Sequence, residues 1–373
     1  SFEGSKFAEN GIRLVRDRYE IKLFRDRSDW IAEGGLPYTL EHPQEYPPLG
    51  VLFISAPRFF TDDKEVFEAF SLARSAVCFG LLMALTAALL DRFGRSRRRL
   101  LVFFLPAFLY FSLWRFDTFP AILASLMVLA VAADRHAGAI VALFAGIAAK
   151  IYPVLFVIPL GLRLERQRDQ KKTRAALIRG MAIVAALTAA FFLVSWSLGL
   201  SPLAMVYDIQ AKRGIELGSI RELTLRFAVA AGFAQASAAA LVGCVFGLLQ
   251  LGAALPLIIR GKVDAQEPFV RACLYLLIPF IAFGWFFSQQ WIIWLVPLAI
   301  LVADRREMFL LVLLDLLLFL QFPVLYDADL HGRAFDAVTV VRTTVLIALW
   351  ILNALALSRF ARPSRQARAG VGA

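Results

Sequence analysis

The stretch "AGAIVALFAGIAAKIYPVLFVIPLGL", residues 137–162, is apolar except at its middle, where Lys150 and Tyr152 precede Pro153. It is long enough to span a bilayer, but the lysine and the proline interrupt it. Irregular backbone at membrane depth is tolerated only where it lines a protein cavity, and a lysine there costs on the order of 3 kcal/mol. The pattern predicts two half-helices that meet at a functional cavity containing Lys150. The alternative is a lysine that reaches back to the membrane interface.

The composition predicts an all-α membrane protein that crosses the bilayer several times. Hydrophobic residues make up 60% of the chain and the mean hydropathy is +0.68, whereas a soluble domain is nearer half apolar. The three cysteines lie in apolar runs, so no disulfide framework is expected. The chain begins at Ser1 and not at methionine, which leaves room for a further N-terminal segment. Besides the broken run, apolar spans are expected near residues 69–90, 100–114, 118–133, 178–200, 236–259, 269–287, 291–303, 308–326 and 337–358.

The basic residues predict the orientation. More than half of the 40 lysines and arginines lie in a few connections and the tail, namely "DRFGRSRRR", "DRH", "RLERQRDQKKTRAALIR", "RGKVDAQEPFVR", "DRRE" and "RFARPSRQAR". The positive-inside rule places these in the cytoplasm, and only a broken 137–162 run keeps every later basic loop on that side. We therefore expect an extracytoplasmic first loop (1–68), a transmembrane bundle (69–358) and a basic cytoplasmic tail (359–373) in an inner or plasma membrane.

The first loop carries acidic residues beside the predicted membrane surface. "VRDRYEIKLFRDRSDWIAEGGLPY", residues 15–38, predicts a short amphipathic helix that ends at its paired glycines. Asp17, Glu20, Asp26 and Asp29 are spaced by about one helical turn, and one of them could act as a general base. The alternative is a solvated charged helix.

Three further motifs place polar side chains on the same expected side. "EYPPLGVLFISAPRFF" (45–60) is too short to span and predicts a re-entrant or interfacial segment with Glu45 and Tyr46 at its rim; the alternative is a simple entry turn. In "WRFDTFP", Arg115 could hold a phosphate or simply pair with Asp117. In "SQQWIIWLVP", Gln289 and Gln290 suit sugar hydroxyls, while the tryptophans alone are typical of an interfacial belt.

The ordered motifs resemble a family. "GGLPY…EYPPLGVLF", "RFDTFPAILASL", "KIYPVLFVIPL" and "FSQQWIIWLVP" look like motifs of the polyprenol-phosphate-mannose-dependent mannosyltransferases of the GT-C superfamily, and also like the enzyme that adds the first mannose of the GPI anchor. The resemblance implies a GT-C bundle of about 10 to 12 transmembrane helices. It also implies a lipid-phosphate sugar donor and an acidic catalytic residue in the first loop. The position of the family's usual aspartate falls on Glu20, one helical turn after Asp17, so either acid could be the catalytic base.

The expected reaction is transfer of a sugar from a polyprenyl phosphate to an acceptor hydroxyl on a glycolipid or glycan, outside the cytoplasm. Glu20 or Asp17 would be the base. The cations Lys150 and Arg115, with Tyr152, would bind the donor phosphate. Sugar and acceptor would be held by Glu45, Tyr46, Asp117, Gln289, Gln290 and His331.

No metal cluster is evident, so we expect no obligatory metal or other cofactor, and no nucleic-acid partner; membrane lipid surrounds the chain. Two other functions remain open. A lipid-linked saccharide transporter or flippase would use the same buried cations without a base. An O-antigen-type ligase or polymerase would use pyrophosphate-linked donors.

Overall fold

The computed structural model describes residues 18–167, 171–212, 214–260, 263–326 and 332–361, which form helices and their connections without a strand. The first six α-helices are α1 (Arg18–Ala32), α2 (Pro48–Ser55), α3 (Lys64–Arg92), α4 (Pro106–Trp114), α5 (Thr118–Ala132) and α6 (His136–Ala149). The next five are α7 (Val157–Arg166), α8 (Lys171–Ser197), α9 (Pro202–Lys212), α10 (Ile220–Ala230) and α11 (Gln235–Arg260). The last four are α12 (Gln266–Ala282), α13 (Ile292–Val302), α14 (Arg305–Phe319) and α15 (Arg333–Ala361).

The predicted multi-pass membrane architecture is confirmed in its coarse form. Among the described residues, five helices are long and apolar enough to cross a bilayer: Lys64–Arg92, Thr173–Ser197, Gln235–Ile258, Arg305–Leu325 and Arg333–Phe360. The pair α4 and α5 adds a sixth if its 107° bend lies within one span. The expected 100–114 and 118–133 spans therefore form a bent pair. The larger count of 10 to 12 crossings stays a prediction.

The bundle is built around α13. All eleven residues of this helix are buried, and it contacts α3, α4, α5 and α12. A helix that is apolar on every face is stable only when other helices surround it. Because α13 follows directly on the "SQQW" motif, this packing fixes the motif at one end of the bundle.

The basic connections meet at one end of the bundle. Ion pairs and backbone contacts join the ends of helices that are distant in sequence: Arg95 with Glu267 (3.3 Å), Arg163 with the carbonyl of Val263 (3.1 Å) and Arg271 with Glu307 (3.1 Å). Lys150 and the "WRFDT" turn lie at the opposite ends of α6 and α5 from their connection at Asp134–Arg135. The segregation of basic and candidate functional residues inferred from the sequence is thus present within the fold.

The interrupted run forms the predicted broken helix. Helix α6 ends at Ala149, Lys150 is extended (φ −157°, ψ 144°), and a 3₁₀ turn Tyr152–Phe156 leads into α7. Position 68, the expected end of the first loop, falls inside α3, whose N-terminus is capped by Asp63. The short apolar segment after the two prolines forms α2 and a 3₁₀ turn, Ala56–Phe59, and α2 packs against α6.

Gly50 permits the close approach of α2 to the end of α6. A Cβ at Gly50 would overlap the carbonyl oxygen of Ala149, next to Lys150. Gly50→Ala should therefore destabilise the protein by about 1–3 kcal/mol through overpacking, measured as a lower thermal unfolding midpoint in lipid. Gly80→Ala is the matched control, since a Cβ there meets nothing within 4 Å. Equal stability of the two variants would contradict the close packing of α2 on α6.

Candidate functional site

A cavity of about 370 Å³ collects residues from six parts of the chain. Six of the residues singled out in the sequence line it: Glu20, Glu45, Tyr46, Lys150, Tyr152 and Gln290. Its remaining wall is largely aromatic, with Phe280, Trp285, Phe286, Phe287, Trp291 and Trp294. Aromatic walls with a few convergent polar groups are typical of small-molecule sites.

Lys150 is held inside the protein by a buried acid. Its Nζ lies 2.6 Å from Oδ1 of Asp117, and the lysine side chain is 13% exposed while that of Asp117 is fully buried. The same Oδ1 accepts a hydrogen bond from Nε1 of Trp294 at 2.7 Å. Lys150 is thus turned towards a buried partner, and Asp117 pairs with Lys150 and not with Arg115. Asp117 does not line the cavity; it anchors the lysine that does.

Stacked rings adjoin this ion pair. The rings of Tyr152 and Trp294 are parallel within 6°, with centroids 4.1 Å apart. Trp291 stacks on Trp294 at 5.1 Å, and Nζ of Lys150 lies 5.1 Å from the Trp294 centroid. Both tryptophans are buried, so they do not form an interfacial belt. Such flat surfaces suit the apolar faces of a sugar ring or an isoprenoid chain.

Two carboxylates, those of Glu20 and Glu45, also line the cavity. Glu20 on α1 has its Oε1 3.8 Å from Nη1 of Arg115, and Glu45 lies 3.1 Å from Arg27. Each acid thus has a cation beside it. Arg115 is buried and does not line the cavity, so it lies behind Glu20 and does not reach the predicted phosphate position.

Tyr46 contributes a neutral hydroxyl between the acids and Lys150. Its backbone carbonyl accepts a hydrogen bond from the Tyr38 hydroxyl at 2.8 Å, and its ring centroid lies 5.8 Å from Nζ of Lys150. Burial raises the pKa of the Tyr46 phenol well above its usual value, and the negative charges of Glu20 and Glu45 raise it further. Tyr46 therefore stays protonated and serves as a hydrogen-bond donor and acceptor.

The other residues singled out in the sequence are less central. Gln289 does not line the cavity, in contrast to its neighbour Gln290. Asp29 is bound by Arg58 (2.6 Å) and Arg25 (3.4 Å), which is a structural role. Asp26 is exposed. Two residues, Asp17 and His331, lie outside the described part of the chain.

Several polar atoms around the Lys150–Asp117 ion pair have no hydrogen-bond partner. Among the described residues, these are Oδ2 of Asp117, Oγ1 of Thr118 and the hydroxyl of Tyr152, all of them buried. Buried polar groups are normally satisfied, and of these three residues Tyr152 lines the cavity. No group of three or more His, Cys, Asp or Glu among the described residues is placed to hold a metal ion.

The sequence did not predict four polar residues that lie in or beside the cavity. Glu216 and Gln250 line the cavity, and two arginines, Arg221 and Arg342, are fully buried beside its aromatic wall. Arg342 could have been found, because it stands alone in the apolar run 337–358 and an ionisable residue inside a span indicates function. Arg221 gave no such signal, since it lies among polar residues in the sequence.

Comparison with protein-family models, with curated proteins and with solved structures finds no match for this chain. The resemblance to GT-C mannosyltransferases therefore stays a prediction. The function has to be argued from the geometry of the cavity.

Proposed function

We propose that the protein is an integral-membrane glycosyltransferase that moves a sugar from a polyprenyl-phosphate donor to an acceptor hydroxyl on the extracytoplasmic side of the membrane. The proposed sugar is mannose, on the basis of the motif resemblance. The acceptor is a glycolipid or glycan.

One observation carries this proposal: carboxylates, a lysine and stacked aromatic rings share one cavity. A transporter needs binding groups, but it does not need a carboxylate poised beside an arginine. Glycosyl transfer needs a base, a sugar platform and positive charge. The cavity contains these in Glu20, in the Trp291–Trp294 rings and in Lys150.

In the proposed reaction Glu20 takes the proton of the acceptor hydroxyl as its oxygen attacks the anomeric carbon. The bond between that carbon and the phosphate oxygen breaks, and its electron pair leaves with the phosphate. Lys150 stabilises the negative charge that develops there. Asp117 and the Trp294 indole fix the position of the lysine, so little reorganisation accompanies charge transfer.

The direct test is incubation of the purified full chain in lipid with a panel of radiolabelled polyprenyl-phosphate sugars and lipid-linked acceptors. Labelled acceptor is the expected product, formed from one donor of the panel. Movement of labelled donor across the bilayer without transfer would identify a flippase instead. Reaction only with pyrophosphate-linked saccharides would identify a ligase or polymerase.

The proposed orientation can be tested separately with single cysteines. In a Cys244→Ala background, which removes the exposed native thiol, Leu40→Cys should be labelled by an impermeant thiol reagent on intact cells. Leu40 is 94% exposed. Arg98→Cys, exposed at the basic end, should react only after permeabilisation. The reverse pattern would place the cavity on the cytoplasmic side.

A further inference from the structure

Arg221 is a fully buried cation directly behind the aromatic wall of the cavity. Its Nε donates to the carbonyl oxygen of Phe283 at 2.7 Å, and its Nη2 donates to Oε1 of Gln250 at 3.2 Å. The guanidinium carbon lies 4.3 Å from the centroid of Trp285. Both Gln250 and Trp285 line the cavity. One ring and one amide thus separate this charge from the cavity.

Arg342 repeats this arrangement from another helix. It is fully buried, its Nη2 donates to the carbonyl oxygen of Gly218 at 2.9 Å, and its Nη1 donates to Gln321. Its guanidinium carbon lies 3.4 Å from the centroid of Phe287, which lines the cavity. Two arginines on different helices therefore sit under two neighbouring rings of one wall segment.

These two arginines differ from the other cations of the site because no carboxylate of the described residues pairs with them. At the polar end each cation has an acid: Arg115 with Glu20, Arg27 with Glu45 and Lys150 with Asp117. The partners of Arg221 and Arg342 are neutral carbonyls, amides and rings. In the described part of the chain, Nη1 of Arg221 and Nε of Arg342 have no hydrogen-bond partner. One carboxylate, that of Glu216, also lines the cavity at this end, where its backbone N–H donates to the carbonyl oxygen of Trp285 at 3.3 Å. The two arginines outnumber this acid, so the aromatic end is the more electropositive end of the cavity.

We propose that Arg221 and Arg342 form the anion subsite of the cavity and hold the phosphate of a lipid-linked substrate at its aromatic end. The inference that the anion is a lipid phosphate rests on the proposed function. The inference that an anion binds here rests only on the two arginines, with which no carboxylate of the described residues pairs. Rotation of the Trp285 or Phe287 ring uncovers guanidinium N–H groups, and guanidinium matches phosphate oxygens in geometry and charge. The leaving lipid phosphate carries more negative charge than the donor, so this subsite also favours the departure of the lipid.

The subsite gives the substrate a direction in the cavity. A row of rings leads from Phe287 to Trp291 (5.8 Å between centroids) and on to Trp294 (5.1 Å), which adjoins Lys150. With the phosphate over the arginines, the anomeric carbon bonded to it lies at the arginine end of the sugar, and the acceptor approaches that carbon from the side of Lys150 and the acids. The charge of Lys150 then adds to that of the two arginines around the sugar–phosphate junction.

The test measures how strongly the purified full chain in lipid discriminates between a lipid that ends in a phosphate and one that ends in a hydroxyl. Binding of a short-chain polyprenyl monophosphate is compared with binding of the polyprenol of the same length. Arg221→Met and Arg342→Met should each lower the preference for the phosphate by about tenfold or more, while polyprenol binding is unchanged. Arg74→Met is the matched control: Arg74 also donates to carbonyls, of Phe53 and Ile54, and stacks on a ring. A folded Arg221→Met or Arg342→Met protein with the wild-type preference overturns the proposal.

A second variant decides the question if the arginine variants do not fold. Phe287→Leu removes the ring over Arg342 and leaves the arginine in place, so it should strengthen polyprenyl-phosphate binding relative to polyprenol. A purely structural arginine predicts no change in that ratio, and such a result also overturns the proposal. Competition by inorganic phosphate at concentrations that displace the lipid would identify a free-phosphate site and overturn the assignment to a lipid. Transfer is measured apart from binding, so arginine-dependent binding without transfer would reject the proposed function alone.

Discussion

Lys150→Met should abolish sugar transfer and also destabilise the protein. The substitution removes the cation closest to the reacting centre, and it leaves the fully buried Asp117 without its partner at 2.6 Å. Breaking one side of a buried ion pair costs about 3–5 kcal/mol. Initial transfer rates and thermal unfolding in lipid measure the two effects.

The double variant Lys150→Met/Asp117→Asn separates the two roles of the lysine. An asparagine can still accept the hydrogen bond from Trp294 but carries no charge, so the double variant should regain most of the lost stability. It should not regain activity, because a missing charge-stabilising group costs roughly 10²–10³-fold in rate. Asp117→Asn alone is the control for the loss of the acid. Restored transfer in the double variant would show that Lys150 is only structural.

The break at Lys150 could be predicted, but the partner of Lys150 could not. A lysine followed by Tyr-Pro inside an apolar run is a local signal, and the helix ends there as expected. Arg115 and Asp117 lie in one short turn, so the sequence allows a pair between them as the alternative to phosphate binding by Arg115. Their backbones differ, with Arg115 extended (φ −121°, ψ 158°) and Asp117 helical (φ −62°, ψ −20°). Only the packing of α5, α6 and α13 brings Asp117, Lys150 and Trp294 together.

Helix lengths were the other limit of the sequence. A window of hydropathy identifies long lipid-facing helices well, and five of them are present in the described chain. A hydropathy window cannot predict that an eleven-residue apolar run such as α13 forms the centre of the bundle. The run is shorter than a membrane span, and its hydropathy does not show whether lipid or other helices surround it. Nor does it weigh a single arginine such as Arg342 against the apolar residues around it. These central and charged elements are the ones that shape the cavity.

Glu20→Gln should give the second large loss of transfer, of about 10²–10⁴-fold, which is the usual contribution of a general base. Glu20 lines the cavity, and its carboxylate lies 3.8 Å from Nη1 of Arg115. The glutamine preserves size and hydrogen bonding, so stability and donor binding should change little. Transfer rates at saturating donor and acceptor, with donor affinity measured separately, would show a fall in rate without a fall in donor affinity.

Matched variants distinguish Glu20 from the other acids of the first loop. Asp26→Asn, at an exposed position on the same helix, should leave transfer unchanged, whereas Asp29→Asn should lower stability because Asp29 binds Arg58.

Glu45→Gln tests the second carboxylate of the cavity, which Arg27 holds at 3.1 Å. Its effect should fall mainly on acceptor affinity, since Glu45 is expected to hold the sugar or the acceptor and not to take a proton. Loss of turnover in Asp17→Asn with normal turnover in Glu20→Gln would move the base by one helical turn. Normal turnover in all five variants would mean that the first loop does not supply the base. Neither α1 nor Glu45 would then take the proton of the acceptor.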